Sequence, residues 1–154
     1  MTMPKAGEKA PDFKVLNDEG ETVRLSDYRG KELVLYFYPR ADTPGCTKEA
    51  CAFRDDYSAY EKAGVTILGV SPDTVVAQAK FKQKYDLPFS LLADEDHAIS
   101  SAYGVWGLKK FMGREYEGVL RTTFLIDKEG VVRQVFEKVK PAEHSQEILA
   151  ALED

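Results

Sequence analysis

The sequence predicts an α/β domain with a mixed central sheet and helices packed on both of its faces. Three observations carry this. The continuous apolar run Leu33 to Phe37 within KELVLYFYP reads as a strand covered on both faces, and VTILGV, Val65 to Val70, as a second buried strand. Between them Cys46, Ala50, Phe53, Tyr57 and Tyr60 fall on one helical stripe, at spacings of four, three, four and three. Further on, VLRTTFLID (Val119 to Asp127) and VVRQVFEKV (Val131 to Val139) flank the turn Lys128-Glu129-Gly130, a hairpin pattern. Alternating strands and helices followed by a hairpin require parallel and antiparallel pairs in one sheet.

The remaining elements follow in order. Phe13 to Leu16 and Glu21 to Leu25 are short extended pieces around the turn NDEG, Asn17 to Gly20, which predicts an N-terminal β-hairpin extension. Arg40 to Cys46 is a loop rich in turn formers, and Gly64 stops the helix that follows. Asp73 is placed to cap a helix running to about Tyr85. Leu87 to Ala93 reads as a strand and Asp96 to Tyr103 as a short helix. GVWGLKKFMGREYEG, residues 104–118, is Gly-punctuated and weakly periodic, and reads as an irregular excursion. A last helix starts at about Ala142 and carries Ile148, Leu149 and Leu152 on one face.

The chain has 154 residues, 44% of them hydrophobic, which suits one domain, 1–154, with its own core. With 26 acidic against 21 basic residues, a net charge of −5 and no polybasic run, it lacks the concentrated cations that displace counterions from phosphates. No nucleic-acid partner is expected. Its apolar runs are far shorter than the about 20 residues of a membrane span. MTMPKAGEKAPDF has neither a basic n-region nor an apolar h-region, so a cytoplasmic protein with no membrane partner is expected.

Its two cysteines, Cys46 and Cys51, are too few for a disulfide scaffold. Neither the C-x₂-C nor the H-x₃-H spacing of a zinc site occurs. Cys46 follows Thr43-Pro44-Gly45 and begins a helix directly after a buried strand. A thiol in such a first turn faces unpaired N–H groups and the positive end of the helix dipole, both of which favour thiolate. Cys51 lies five positions on, which in a helix is a rotation of about 140° and a rise of about 7.5 Å. The Cα atoms are then roughly 8.6 Å apart, beyond the ~6.8 Å limit of a disulfide. Bridging them requires the first turns to unwind. C-x₄-C is not the C-x-x-C of dithiol exchange, and neither His97 nor His144 lies in a nucleophile-base motif. A thiolate without a base, aided by hydroxyl and cationic donors, suits attack on an O–O bond.

YPRADTPGCTKEAC, Tyr38 to Cys51, resembles the active-site segment of peroxiredoxins, whose P-x-x-x-T-x-x-C motif is met by Pro39, Thr43 and Cys46. T-P-G-C with a second Cys five residues later is similar to the peroxiredoxin Q group, also called bacterioferritin comigratory protein. GEKAPDF, LSDYRGK, GVWGLKKFMG and RTTFLIDKEG extend the likeness over nearly the whole chain. The resemblance implies a thioredoxin-like fold and a thiol peroxidase that reduces hydrogen peroxide and organic hydroperoxides with no cofactor. Cys46 would be the peroxidatic nucleophile. Thr43 would hydrogen-bond the thiolate and the peroxide oxygens, and Pro39 would shield the site from water. Arg121 stands where related reductases carry a proline, before Thr122-Thr123-Phe124, and would stabilise the thiolate and the transition state. Cys51 would be the resolving thiol, giving an intramolecular disulfide recycled by thioredoxin, and Glu49 a supporting residue. The resemblance also suggests a monomer.

Two other readings stay open on the residues alone. One is a general thiol-disulfide oxidoreductase; the other is a binding module with both thiols buried and inert. Outside the motif, His97 and His144 read as surface or capping residues. Trp106 and Phe111 read as part of a packed loop, and Lys109, Lys110 and Arg114 as a solvated basic cluster.

Overall fold

A computed structural model describes residues 3–152, two residues short of the expected domain at either end. In chain order the chain forms β1 (Lys14–Asn17), β2 (Thr22–Arg24), a 3₁₀ turn (Leu25–Tyr28), β3 (Glu32–Phe37), α1 (Pro44–Asp55), α2 (Tyr57–Lys62) and β4 (Val65–Ser71). Then come α3 (Val75–Tyr85), β5 (Ser90–Ala93), α4 (Ala98–Ala102), β6 (Trp106–Phe111), β7 (Arg114–Val119), β8 (Thr122–Ile126), β9 (Val132–Phe136) and α5 (His144–Leu152). A seven-stranded sheet has the order β2-β1-β5-β4-β3-β8-β9. Its centre, β5-β4-β3, is parallel, and the flanking pairs are antiparallel. The mixed sheet predicted from the sequence is present. The N-terminal hairpin extends it by pairing Leu16 with Ala93, and the Asp18 carboxylate accepts the Leu91 N–H at 2.9 Å.

Strand alternation divides the interior into two cores. Leu33, Leu35 and Phe37 point into one, with Leu68, Val70, Phe124, Ile99 of α4 and Tyr103 just beyond it. Val34, Tyr36 and Tyr38 point into the other, where α1, α2, α3 and α5 supply Cys46, Ala50, Phe53, Tyr60, Phe81 and Ile148. Helices therefore cover both faces, as the continuous apolar run of β3 requires. Burying a side chain such as Phe53 or Ile148 contributes about 1.5–3 kcal/mol. Phe53 packs against the rings of Tyr36, Tyr60, Phe89 and His144, which fixes the rotation of α1 about its axis.

Several local expectations need correction. The stripe from Cys46 to Tyr60 is split, because the helix breaks at Asp56, whose carboxylate accepts Ser145 Oγ at 2.7 Å and Gln146 Nε2 at 2.8 Å from α5. Thr74, not Asp73, caps α3: its Oγ1 accepts the Ala77 N–H at 3.0 Å, while Asp73 accepts the Ala41 N–H at 2.7 Å. Residues 104–118 are not irregular. β6 and β7 form a separate antiparallel hairpin whose two turn residues, Met112 and Gly113, have φ of 51° and 79°. Both positive φ values are what a tight type I′ turn demands, and Met-Gly is a poor advertisement for one.

Of the two histidines, His144 differs from expectation. His144 is buried: Nδ1 lies 2.9 Å from a Glu147 carboxylate oxygen and Nε2 2.7 Å from Thr123 Oγ1. Since a carboxylate only accepts, Nδ1–H donates to it and Nε2 accepts the threonine O–H. Burial, opposed by Glu147, holds the imidazole below its ordinary pKa. His97 occupies the N-cap position of α4 with φ of 48°, makes no capping hydrogen bond, and stacks on Trp106 at 3.9 Å. The packed role of Trp106 is as expected; the side chain of Phe111 lies outside the described residues.

Candidate active site

β3 ends in the core, and the half-buried Pro39 begins the loop that carries the chain over the edge of the sheet into α1. Thr43 is the N-cap of α1 and Pro44 its first residue, where a missing N–H costs nothing. Cys46 thus falls in the first turn, on the stripe that faces the core, and is 1% exposed. Cys51 sits in the same unbroken helix, half-buried, and both thiols are free. Burial pushes the Cys51 thiol up, with Arg54 opposing and Asp55 adding to the shift.

Arg121 precedes β8, the neighbour of β3, and reaches across to α1. Its Nη2 donates to Cys46 Sγ at 3.3 Å and its Nη1 to Glu49 Oε1 at 2.7 Å. Gly45 makes this approach possible: a Cβ there would stand 3.3 Å from Arg121 Nη2. Glu49 is one helical turn beyond Cys46 and fully buried, so its carboxyl is pushed up to about 7 by burial, with Arg121 pulling it down. Burial works against the Arg121 charge, but Glu49 and Cys46 outweigh it and hold it raised. One guanidinium therefore serves two acidic groups in a poorly solvated site, where charge-assisted hydrogen bonds are strong. Among the described residues Glu49 Oε2 and the Tyr36 hydroxyl, both buried, have no hydrogen-bond partner.

Of the residues singled out by sequence, Cys46, Glu49 and Arg121 are brought into direct contact. Thr43 is adjacent, but its Oγ1 donates to the Arg40 carbonyl at 2.9 Å, closing the turn before α1, and not to the sulfur. The expected bond from Thr43 to the thiolate is thus absent among the described contacts. Lys109 is not solvated, contrary to the expectation from sequence. In β6 alternate residues take opposite faces, so Lys110 pairs with Glu115 at 3.5 Å while Lys109 turns inward and donates from Nζ to the Val119 carbonyl at 2.9 Å. Burial and then Arg121 push Lys109 below its ordinary pKa, and Cys46 pulls it up. The signal in the sequence is the strand alternation itself, which the Met112-Gly113 turn obscures.

A cysteine sulfur in a helix first turn, bonded by a half-buried arginine that a buried glutamate holds, is an arrangement that can stabilise negative charge on a sulfur and on a leaving oxygen. Residues 6–135 match the family model AhpC/TSA family. The chain belongs to the AhpC/TSA family, among its peroxiredoxins. It is 52% identical to Peroxiredoxin Bcp of Bacillus subtilis over 148 residues, 96% of this chain and 94% of that protein. It is 44% identical to Peroxiredoxin Bcp of Escherichia coli over 150 residues, 97% of this chain and 96% of that one. A solved structure of Xanthomonas campestris Peroxiredoxin Q superposes with a TM-score of 0.89 at 38% identity, covering 96% of each chain. Another structure, of the bacterioferritin comigratory protein of the same organism, concerns alkyl peroxide reduction and matches with the same TM-score of 0.89. These likenesses establish the thioredoxin-like fold and a thiol peroxidase activity for this peroxiredoxin. No helix among its described residues is long and apolar enough to cross a membrane.

Proposed function

We propose that this peroxiredoxin reduces hydrogen peroxide and alkyl hydroperoxides through a sulfenic acid on Cys46, resolved by Cys51 and recycled by thioredoxin. The observation that carries the reading is Arg121, bonded at once to Cys46 Sγ at 3.3 Å and Glu49 Oε1 at 2.7 Å. The thiolate attacks the distal peroxide oxygen, the O–O bond breaks, and sulfur loses two electrons to become sulfenic acid. The other oxygen leaves as water or alcohol after taking a proton. Arg121 stabilises the charge that develops on it, and Glu49 keeps the guanidinium aimed. Thr43, whose proton is committed to the Arg40 carbonyl, offers its lone pairs to the peroxide O–H. Pro39 keeps water from the sulfur, and Lys109 adds positive potential beside Arg121. An alkyl substrate is supported by the Xanthomonas relative, whose structure concerns that activity.

Cys51 then displaces the sulfenic oxygen as water, forming an intramolecular disulfide. Thioredoxin, a dithiol reductant, attacks that bond by thiol-disulfide exchange. The same reading has the enzyme working in the cytoplasm as a monomer, with neither metal nor organic cofactor.

One equivalent of peroxide added to the fully reduced protein tests this by mass. The expected result is rapid loss of two hydrogens, mapped to Cys46 and Cys51. Cys46→Ser should abolish peroxide consumption; Cys51→Ser should complete one turnover and then fail to be recycled by thioredoxin. Undiminished steady turnover in Cys51→Ser would replace the resolving thiol by an external one. Reduction of protein disulfides without peroxide would favour a general oxidoreductase, and no mass change a binding module.

A further inference from the structure

The segment that carries both cysteines is tied at its two ends to a single residue. Ahead of α1, Asp42 has a left-handed φ of 58°, a conformation that a residue with a Cβ enters at a cost. Its carboxylate is held there from the end of α3: Tyr85 O–H donates to Oδ1 at 2.7 Å and Lys84 Nζ to Oδ2 at 2.8 Å. Beyond Cys51, Arg54 Nη1 donates to the backbone carbonyl of the same Tyr85 at 2.7 Å. Tyr85 is itself anchored, its ring edge-on to the buried Phe81 with centroids 5.6 Å apart. Cys46 and Cys51 both lie between the two ties, and the attack on peroxide uses neither.

We propose that Tyr85 is a positioning residue that clamps the segment Asp42 to Arg54 and sets how fast Cys51 reaches the sulfenic acid on Cys46. The inference rests on the reading of Cys51 as the resolving thiol. In that step the Cys51 sulfur attacks the Cys46 sulfur, the S–S bond forms as the S–O bond breaks, and the oxygen leaves as water with the thiol proton. No further oxidant or reductant is needed. An intact α1 keeps the two Cα atoms roughly 8.6 Å apart, so the helix must open between the ties. Opening relieves the left-handed backbone at Asp42, and the two bonds to its carboxylate oppose it. Those bonds are on the surface, so they hold the segment weakly enough to release it in each cycle. A tighter clamp leaves the sulfenic acid longer in reach of a second peroxide, so the same residue sets the threshold of over-oxidation.

Tyr85→Phe deletes the phenol O–H while keeping the ring and the carbonyl that holds Arg54. Asp42→Asn keeps a side chain that tolerates a left-handed backbone and removes the charge facing Lys84. In the full chain, rapid quenching with a cyclic 1,3-dione trap reads sulfenic acid formation, and loss of two hydrogens by mass reads disulfide formation. In both variants the first rate should stay within about twofold and the second should rise roughly three- to tenfold, the worth of one net hydrogen bond. The peroxide dose that over-oxidises half of Cys46 should rise with it. Amide exchange should quicken in α1 and not in β3 or β4, a pattern that general destabilisation would not give. Disulfide formation at the wild-type rate in both variants, or a fall of both rates together, would overturn the clamp alone. A wild-type protein that forms sulfenic acid but no Cys46–Cys51 disulfide would instead overturn the two-cysteine reading, and the clamp with it.

Discussion

Glu49 is a carboxyl group buried beside the Cys46 sulfur, and Arg121 is the cation that both share. Because burial raises the folded-state pKa of Glu49 to about 7, above its ordinary 4.5, the folded protein binds the extra proton between those values. Stability from this group is therefore fully present below about pH 4.5 and is lost as pH rises through 7. Denaturant unfolding of wild type and Glu49→Gln at pH 5 and pH 8 should show the wild type losing up to roughly 3 kcal/mol more than the variant. A wild type and variant that change in parallel would mean that Glu49 does not titrate in this window. The residues of the proposed site are legible in the sequence, since Thr43, Cys46, Glu49 and Arg121 stand in a motif or a marked context. What the sequence could not supply was which atoms they touch. Thr43 donates to the Arg40 carbonyl because the turn before α1 needs that bond, and His144 is buried because Thr123 and Glu147 satisfy both its ring nitrogens.

Helix α1 trades propensity for function at Gly45. Alanine there would restrict the unfolded chain and favour helix, a gain of about 0.4–1 kcal/mol, but its Cβ would stand 3.3 Å from Arg121 Nη2. The guanidinium, already committed to Glu49 and Cys46, would have to shift by a few tenths of an ångström. Gly45→Ala should therefore match or exceed the wild type in thermal stability while its kcat/KM for peroxide falls several-fold, up to roughly tenfold. Loss of stability with unchanged kcat/KM would put the strain elsewhere. Among the elements, α1, β3, β4 and β8 announced themselves by periodicity and apolar runs. The β6–β7 hairpin did not, because its turn is Met-Gly and its strands are half polar. The break between α1 and α2 was also hidden, since it answers to Ser145 and Gln146, about ninety residues away.

Across the whole molecule, the central strands are covered on both faces, whereas α1 has one face in the core and a polar outer side. Amides in the middle of β3, β4 and β8, such as those of Leu35, Leu68 and Phe124, should exchange only on global unfolding. Amides of residues 47–51 should exchange through a cheaper local opening, and equal exchange free energies in the two sets would argue against a helix that melts on its own. The sequence by itself determined the mixed sheet, the placing of a cysteine in a helix first turn and the impossibility of bridging Cys46 to Cys51 while that helix stands. These are consequences of local periodicity and helix geometry, which need no partner from elsewhere in the chain. Only the tertiary structure decided that Arg121 meets Cys46 and Glu49 across 75 and 72 residues, that Lys109 faces the site, and that Tyr85 holds both ends of the reactive segment. Such contacts depend on strand order and on the rotation of each helix about its axis, and those are fixed by how the two cores pack.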